Sequence, residues 1–304
     1  MVGVLFGIAA AVALGVNQIL MTFAARRWGT VRATLASLFI AFVLFIAFAF
    51  ATDANLPFRG NDLFPLIFGI GIAAGFAYLA QIESLREGPL SVVTPIGATA
   101  GAMTVFYAFF LLGERPSMLQ WVGIPLATAG AVAMSLERGA GYKIKLIGLG
   151  PFFAFIAVAT GAISNAVLRI PVREIGSMAA IVFQRSFTVA LVGIVFYVMA
   201  RRGRLRAIAG DGAPGSDFVG IGNRGGSLRW ASLLGVIGFL DAAAFICFAE
   251  GLRRVDAWLI GILSQSGRVI AVAGGFVLFN ERLHTHQWLG VALVVGGLVL
   301  VVTG

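Results

Sequence analysis

Charged residues, cysteine and histidine are scarce in this sequence, and each shortage excludes a class of protein. Charged side chains make up 12% of the 304 residues, about half of their share in soluble domains. The single cysteine, Cys247, excludes an intramolecular disulfide. The two histidines, His284 and His286, flank one residue without the further ligands that a metal site needs, so no metal site is expected.

Long apolar runs occupy most of the chain. Hydrophobic residues account for 60% of the sequence and the mean hydropathy is +0.98, which is typical of an integral membrane protein. Lipid cannot satisfy backbone polar groups, and the runs lack the alternating pattern of a membrane barrel, so we predict an all-α fold. The ten predicted transmembrane helices are residues 2–24, 33–51, 63–82, 90–112, 118–136, 145–168, 177–199, 230–250, 257–279 and 286–303.

The second half of the sequence repeats the first at a constant spacing of 167 residues, without a gap from Ala77 onward. Polar residues match as well as apolar ones, and chance similarity between hydrophobic helices does not explain such a register. The matching pairs are Glu83 with Glu250, Leu85 with Leu252, Arg86 with Arg253, Glu114 with Glu281, Arg115 with Arg282, Gln120 with Gln287, Trp121 with Trp288, Gly123 with Gly290 and Gly130 with Gly297.

This repeat divides the chain into two five-helix units, residues 1–136 and 137–304. Because five is odd, the second unit enters the membrane from the opposite side, so the repeats are inverted in topology. Residues 201–229, rich in Arg, Gly and Asp, interrupt the second unit as a predicted mobile basic loop. Inverted repeats hold a substrate between the halves near the middle of the membrane.

Each unit closes with a similar motif. Residues 113–123 read GERPSMLQWVG and residues 280–290 read NERLHTHQWLG. Together with the two five-helix units, this motif resembles the EamA-type halves of the drug/metabolite transporter superfamily. The resemblance implies ten helices in two inverted repeats, and a bacterial inner-membrane carrier or exporter of amino acids, metabolites or drugs. The first helix lacks the acidic residue on which small four-helix relatives depend, so their proton-coupling mechanism is not carried over.

Basic residues are divided unevenly between the two sides of the membrane. Loops after odd-numbered helices hold fourteen Lys and Arg, and loops after even-numbered helices hold six. This bias places the first set in the cytoplasm and both termini outside. The family resemblance implies the opposite orientation, with both termini in the cytoplasm, so the orientation stays open.

Three charged residues lie within predicted transmembrane helices away from the helix ends, and a charge at the bilayer centre costs about 2.5–3.5 kcal/mol to insert. Asp241 and Arg268 lie near the middle of the eighth and ninth helices, and Arg185 lies in the seventh. We expect the three to share one cavity. They could form a structural ion pair, or the unbalanced arginine could bind an anionic group of the substrate. A third alternative is that Asp241 couples transport to protons.

Neutral polar residues at similar depth complete the predicted substrate site. Asn17 and Gln18 in the first helix and Asn165 in the sixth occupy corresponding places in the two units. Such a residue alone more often forms a hydrogen bond between helices than a contact with a ligand, and the clustering around the three charged residues favours a binding site. The predicted substrate-binding residues are Asn17, Gln18, Tyr78, Gln81, Thr94, Asn165, Gln184, Arg185, Asp241, Gln265 and Arg268.

Acidic residues also lie at equivalent helix ends in both units. Glu83 with Arg86, and Glu250 with Arg253, are three residues apart, a spacing that puts both groups on one helix face as interfacial ion pairs or gate elements. The loops before the fifth and tenth helices carry Glu114 and Glu281, which are predicted to cap those two helices.

The sequence therefore predicts a secondary transporter, not an enzyme. It would move a small metabolite with an anionic group, such as an amino acid or organic acid, across the inner membrane by alternating access, with export as the expected direction. Its partners would be the solute and membrane lipid, without a cofactor or nucleic acid, and its oligomeric state is left open. A passive facilitator or channel is the alternative. An intramembrane enzyme is disfavoured because no HExxH pattern, nucleophile–base set or carboxylate cluster occurs.

Overall fold

The computed structural model describes residues 2–28, 30–51, 63–87, 96–135, 149–201, 226–267, 269–270 and 285–303. Within these ranges the regular elements are helices and no strand occurs, which confirms the predicted all-α fold class. The helices are α1 (Val2–Trp28), α2 (Thr30–Ala51), α3 (Phe64–Glu87), α4 (Ala100–Leu112), α5 (Met118–Ser135), α6 (Leu149–Val167), α7 (Arg169–Ile175), α8 (Ser177–Arg201), α9 (Gly226–Arg254), α10 (Ala257–Gln265) and α11 (Thr285–Thr303).

Six helical segments of the described chain are long and apolar enough to cross a membrane, and α4, α5 and α11 contain shorter apolar stretches. Large apolar side chains cover the outer surface, among them Phe39, Phe110 and Ile194, each at least 60% exposed. Contiguous apolar surface of this kind is stable against lipid rather than water. The chain is therefore a multi-pass membrane protein.

One predicted break between helices is itself helical. The sequence predicts a break at residues 169–174 after the sixth helix, but α7 begins at Arg169, with Leu168 alone between it and the end of α6. Pro171 is tolerated because the first turn of a helix needs no amide donor there. The chain turns at Gly176, whose φ of +90° suits glycine. Most of the predicted basic loop, residues 202–225, lies outside the described part of the chain.

The helices α5 and α11 pack with their backbones in contact. A Cβ atom added to Gly123 would lie 2.7 Å from the carbonyl oxygen of Gly297, and one added to Gly130 would lie 2.6 Å from that of Gly290. Because residue numbers rise along α5 as they fall along α11, the two helices are antiparallel. The 167-residue repeat aligns Gly123 with Gly290 and Gly130 with Gly297, so the two close contacts across this interface, Gly123 with Gly297 and Gly130 with Gly290, are formed by glycines that are aligned between the units.

Other helix contacts keep their pattern when the two halves are exchanged. The contact between α1 and α9 has its counterpart in the contact between α6 and α3. In the same way, the contact between α1 and α10 corresponds to that between α6 and α4, and the contact between α2 and α9 corresponds to that between α8 and α3. Helices α4 and α10 are antiparallel as well, since Gly101 lies beside Gln265 and Gly261 lies beside Thr104. The core is thus built from contacts between the halves.

Candidate functional site: a cavity beside a buried arginine

A cavity of about 230 Å³ lies between α3, α6, α8 and α9. Small side chains of α3 and α6 leave the space, and polar side chains of α3, α6 and α8 face it. Gln81 is the exposed member of the described lining, so it lies at the mouth. The lining residues are Ala74, Ala77, Tyr78, Gln81, Ala157, Gly161, Ser164, Asn165, Gln184, Arg185 and Phe245.

Arg185 is the charged residue of this lining and is 1% exposed. Its Nη1 donates a hydrogen bond to the Tyr78 hydroxyl at 2.8 Å. The guanidinium carbon lies 3.7 Å from the ring centroid of Phe245, 5.5 Å from that of Tyr78 and 5.9 Å from that of Phe45. Such contacts stabilise a desolvated cation and leave its in-plane donors for other partners.

Two donors of Arg185, Nε and Nη2, are buried without a hydrogen-bond partner among the described residues. The described ion pairs join other side chains and do not include Arg185. A buried cation whose donors are not all used is unfavourable in the empty site and is compensated when an anion binds. This arrangement can therefore recognise a carboxylate or phosphate group.

Gln184 presents an acceptor whose orientation is set by its neighbours. The Ser164 hydroxyl donates its one proton to the Ile70 carbonyl oxygen at 3.0 Å, so it can only accept from Gln184 Nε2, at 3.2 Å. The other amide atom, Gln184 Oε1, is buried without a hydrogen-bond partner in the described part of the structure.

Helix α8 is held against α3 by backbone contact. A Cβ atom on Gly71 would lie 2.8 Å from the Gln184 carbonyl oxygen. The Thr188 hydroxyl lies 3.0 Å from the carbonyl oxygens of both Gly71 and Gln184. These contacts fix the height of α8 along α3, and hence the positions of Gln184 and Arg185.

Of the predicted substrate-binding residues, Tyr78, Gln81, Asn165, Gln184 and Arg185 line this cavity. Their role in binding stays a prediction. Sequence reasoning missed Phe245 and Ser164, which also line it, and Phe45, whose ring flanks the arginine. The available signal for Phe245 was its position four residues after Asp241, on the same face of the helix.

Asp241 does not line the cavity with Arg185 as expected. It is 8% exposed and forms no ion pair with the described arginines. Gln18 has an exposed side chain and Gln265 lies at the end of α10 beside Gly101. Asn17 is half-buried, with a buried Oδ1 that lacks a described partner. Thr94 and Arg268 lie outside the described residues.

A second group of charges joins the ends of several helices, and we call Glu114, Arg169 and Asp256 the ionic cluster. Arg169 Nη1 donates to the buried carboxylate of Glu114, and its Nη2 donates to Asp256 Oδ1 at 2.5 Å. Glu114 Oε1 also accepts from the Ala257 amide at 3.1 Å, and Oε2 from the Trp258 amide at 3.2 Å. The carboxylate therefore caps the N-terminus of α10.

This cap corrects the prediction that Glu114 serves α5. Gly113 ends α4 in the left-handed conformation, with φ +66°, and turns Glu114 towards α10. Helix α5 is capped instead by Ser117 and Gln120, where each side-chain oxygen accepts from the other residue's amide, at 3.3 and 2.7 Å. Glu281, its counterpart in the other unit, lies outside the described residues.

The ion pair at Glu250 also differs from the prediction. Glu250 accepts from Arg254 and from the Ser177 hydroxyl, whereas Arg253 is exposed. A spacing of four residues brings the two charges together along the helix in place of the expected three. In the first unit Glu83 is half-buried, and the side chain of Arg86 is not among those described.

Comparison with known proteins identifies the protein family. The sequence model of the EamA-like transporter family matches residues 1–136 and 148–303. The chain belongs to the EamA-like transporter family. This membership confirms the resemblance and makes the chain a transporter at the level of the family.

Relatives and a solved structure agree with this membership. The chain is 25% identical over 284 residues to the uncharacterized inner membrane transporter YedA of Escherichia coli (strain K12), covering 88% of this chain and 82% of the relative. It is 22% identical to a probable amino-acid metabolite efflux pump of the same strain, covering 89% and 85%. A solved crystal structure covers 98% of this chain and 95% of its own, with a TM-score of 0.75 and 18% identity, which shows the shared fold.

Proposed function

We propose that this chain is a secondary transporter that moves a small solute with an anionic group through the cavity beside Arg185. The observation that carries the proposal is the state of that arginine, which is 1% exposed and has two donors without described partners. Guanidinium donors of fixed geometry suit a carboxylate, because two parallel hydrogen bonds form at once. The remaining polar lining would orient the rest of the solute.

Alternating access follows from an inverted repeat, which we infer for the whole chain. Supporting it are the antiparallel contacts of α5 with α11 and of α4 with α10, the exchange symmetry of the helix contacts, and the two segments matched by the family model. Two such halves can rock about their shared interface and open the cavity to one side at a time.

The ionic cluster supplies the closed end that this cycle requires. It joins the ends of α4 and α6 to the start of α10, and the Glu250 contacts join the end of α9 to the start of α8. We propose that opening at this end separates these groups, while the mouth marked by Gln81 belongs to the other side.

Export across the inner membrane is the proposed direction and location. The names of the relatives support it, one being an inner membrane transporter and another a probable efflux pump. The proposed partners are the solute and the surrounding lipid. We assign proton coupling to Asp241, since a buried carboxylate without a described ion pair can change its protonation during the cycle.

Counterflow in proteoliposomes tests this function. Vesicles containing the purified protein are loaded with an unlabelled carboxylate and diluted into the radiolabelled compound, with lactate, alanine and succinate as probes. A carrier gives transient, saturable accumulation of label inside the vesicles. Equilibration without saturation indicates a channel, and chemical conversion of the probe indicates an enzyme; either result contradicts the proposal.

Variants connect the flux to the arginine. Arg185→Lys keeps the charge but loses the planar donor pair, so carboxylate flux should fall by roughly tenfold. Arg173→Lys, on an exposed side chain of α7, is the matched control and should transport normally. Asp241→Asn should abolish acceleration of flux by an imposed pH gradient. Unchanged acceleration would remove Asp241 from the coupling step.

A further inference from the structure

We propose that the cavity beside Arg185 selects small monocarboxylates that carry a hydroxyl group next to the carboxylate, in preference to amino acids of the same carbon skeleton. This inference rests on the proposed transport function and names the substrate class of the same site. It depends on the donors, the acceptor and the charge that the lining presents.

The donors suit a carboxylate. Arg185 Nε and Nη2 are buried without a described partner. The Tyr78 hydroxyl accepts the hydrogen bond from Nη1 at 2.8 Å and therefore keeps its own proton for another acceptor. The rings of Phe245 and Tyr78 lie within 5.5 Å of the guanidinium carbon, which limits hydration of the arginine and strengthens its bond to an anion.

The acceptor requires a donor on the same ligand. Gln184 precedes Arg185 in α8, and its Oε1 is buried without a described partner. The amide cannot rotate to hide this atom, because the Ser164 hydroxyl already donates to Ile70 and needs the Nε2 donor. A ligand that brings only a carboxylate would leave Gln184 Oε1 unsatisfied, which weakens binding. A hydroxyl or an ammonium near the carboxylate would satisfy it.

Charge decides between these two donors. The described lining holds one charged residue, Arg185, and no acidic residue. Asp241 of α9 interacts electrostatically with Arg185 and Tyr78 but is not itself part of the lining. An ammonium in this cavity would lose its water, would find no carboxylate within the described lining to bond to, and would be repelled by the guanidinium. A hydroxyl supplies the same hydrogen bond without a charge, so a hydroxy acid fits better than an amino acid.

The size of the cavity limits the ligand further. Its volume is about 230 Å³. Drug-sized ligands occupy larger cavities, of about 300–1,000 Å³. The site therefore suits compounds of a few carbon atoms.

Matched sets of three ligands test the proposal by isothermal titration of the purified full-length protein. Lactate, alanine and propionate share a carbon skeleton and differ in the group beside the carboxylate, and glycolate, glycine and acetate form a smaller set. We expect lactate to bind about threefold to tenfold more tightly than propionate, the effect of one hydrogen bond. Alanine should bind more weakly than lactate in the same measurement.

Variants of Gln184 test the cause of the preference. Gln184→Leu should abolish the difference between lactate and propionate while propionate still binds. Gln184→Glu places a carboxylate in the cavity and should reverse the order, so that alanine binds more tightly than lactate. Arg173→Gln, which changes the net charge by the same amount at an exposed position, should keep the wild-type order.

The outcomes separate this inference from the proposed function. If alanine binds at least as tightly as lactate, and does so only when Arg185 is present, the hydroxy-acid preference is wrong while the transport of anionic solutes stands. If Gln184→Leu keeps the preference for lactate over propionate, the assignment to Gln184 is wrong. If wild-type protein binds no member of either set, both the preference and the proposed anion site are refuted.

Discussion

Arg169 and Arg185 are two largely buried arginines in opposite circumstances. Arg169 lies where α7 begins and binds two carboxylates, Glu114 and Asp256. Arg185 lies within α8 and contacts a neutral hydroxyl and aromatic rings. The first arginine is neutralised by the protein and joins helix ends. The second forms no described ion pair and keeps two donors without described partners beside a cavity, with Asp241 acting on it only from beyond ion-pair distance. Such free donors are the condition for binding a ligand from outside.

The largest effect is expected from removing the carboxylate that Arg169 uses. Glu114→Ala leaves a buried arginine with one partner and exposes two amides of α10 to an apolar environment. The free energy of unfolding should fall by about 3–5 kcal/mol, as it does when one partner of a buried ion pair is removed. Thermal unfolding in detergent measures it. The neighbouring exposed residue gives a control, since Arg115→Ala should change the midpoint little.

Arg185 should respond in the opposite way. Arg185→Gln removes a desolvated cation that forms no direct ion pair with a described carboxylate, so the unfolding midpoint should stay equal to that of wild type or rise. Carboxylate flux in proteoliposomes should fall by roughly 10- to 100-fold, the loss of a charged hydrogen-bonding partner. A variant that unfolds early and still transports would show that this arginine is structural, like Arg169.

Tyr78→Phe sharpens the comparison at the cavity. The substitution removes the hydroxyl that accepts from Arg185 and retains the ring. Binding of a carboxylate should weaken by about tenfold, since a hydrogen bond to the charged carboxylate is lost and the guanidinium is less well oriented. Tyr107→Phe, on α4 and outside the cavity lining, is the matched control. Equal affinities for wild type and Tyr78→Phe would remove the hydroxyl from the site.

The smallest effect is expected from the exposed member of the ionic cluster. The side chain of Asp256 is 45% exposed, whereas that of Glu114 is 3% exposed. Solvent screens the attraction between Asp256 and Arg169, so Asp256→Asn should lower the free energy of unfolding by about 0.2–1 kcal/mol. The same thermal unfolding assay measures the difference. A cost as large as that of Glu114→Ala would mean that burial does not distinguish the two carboxylates.

The helical fold was predictable because the bilayer sets a length and a polarity for every segment. The composition therefore indicates the all-α membrane fold class, and the motif at residues 113–123, repeated at residues 280–290, indicates the family. The segment 169–174 was assigned to a loop because arginines end many membrane helices. The structure extends the helix there, since Arg169 finds carboxylates from two other loops.

The site was predictable only in part, because depth along a helix does not specify the direction of a side chain. Gln184 and Arg185 were recognised as polar residues within the membrane, and both line the cavity. The same criterion selects Gln18, whose side chain is exposed and does not line the cavity. Glu114 was assigned to its own helix because sequence proximity cannot reveal a carboxylate that caps a helix more than a hundred residues later.

That long-range cap bears on how the protein is made in the cell. Glu114 is synthesised before all of its partners, since Arg169 follows 55 residues later and the amide of Ala257 follows 143 residues later. During translation the first unit therefore carries an acidic group without the contacts that later satisfy it, and those contacts can form only after most of the second unit has been synthesised. Maturation of the two units is consequently coupled in time as well as in space.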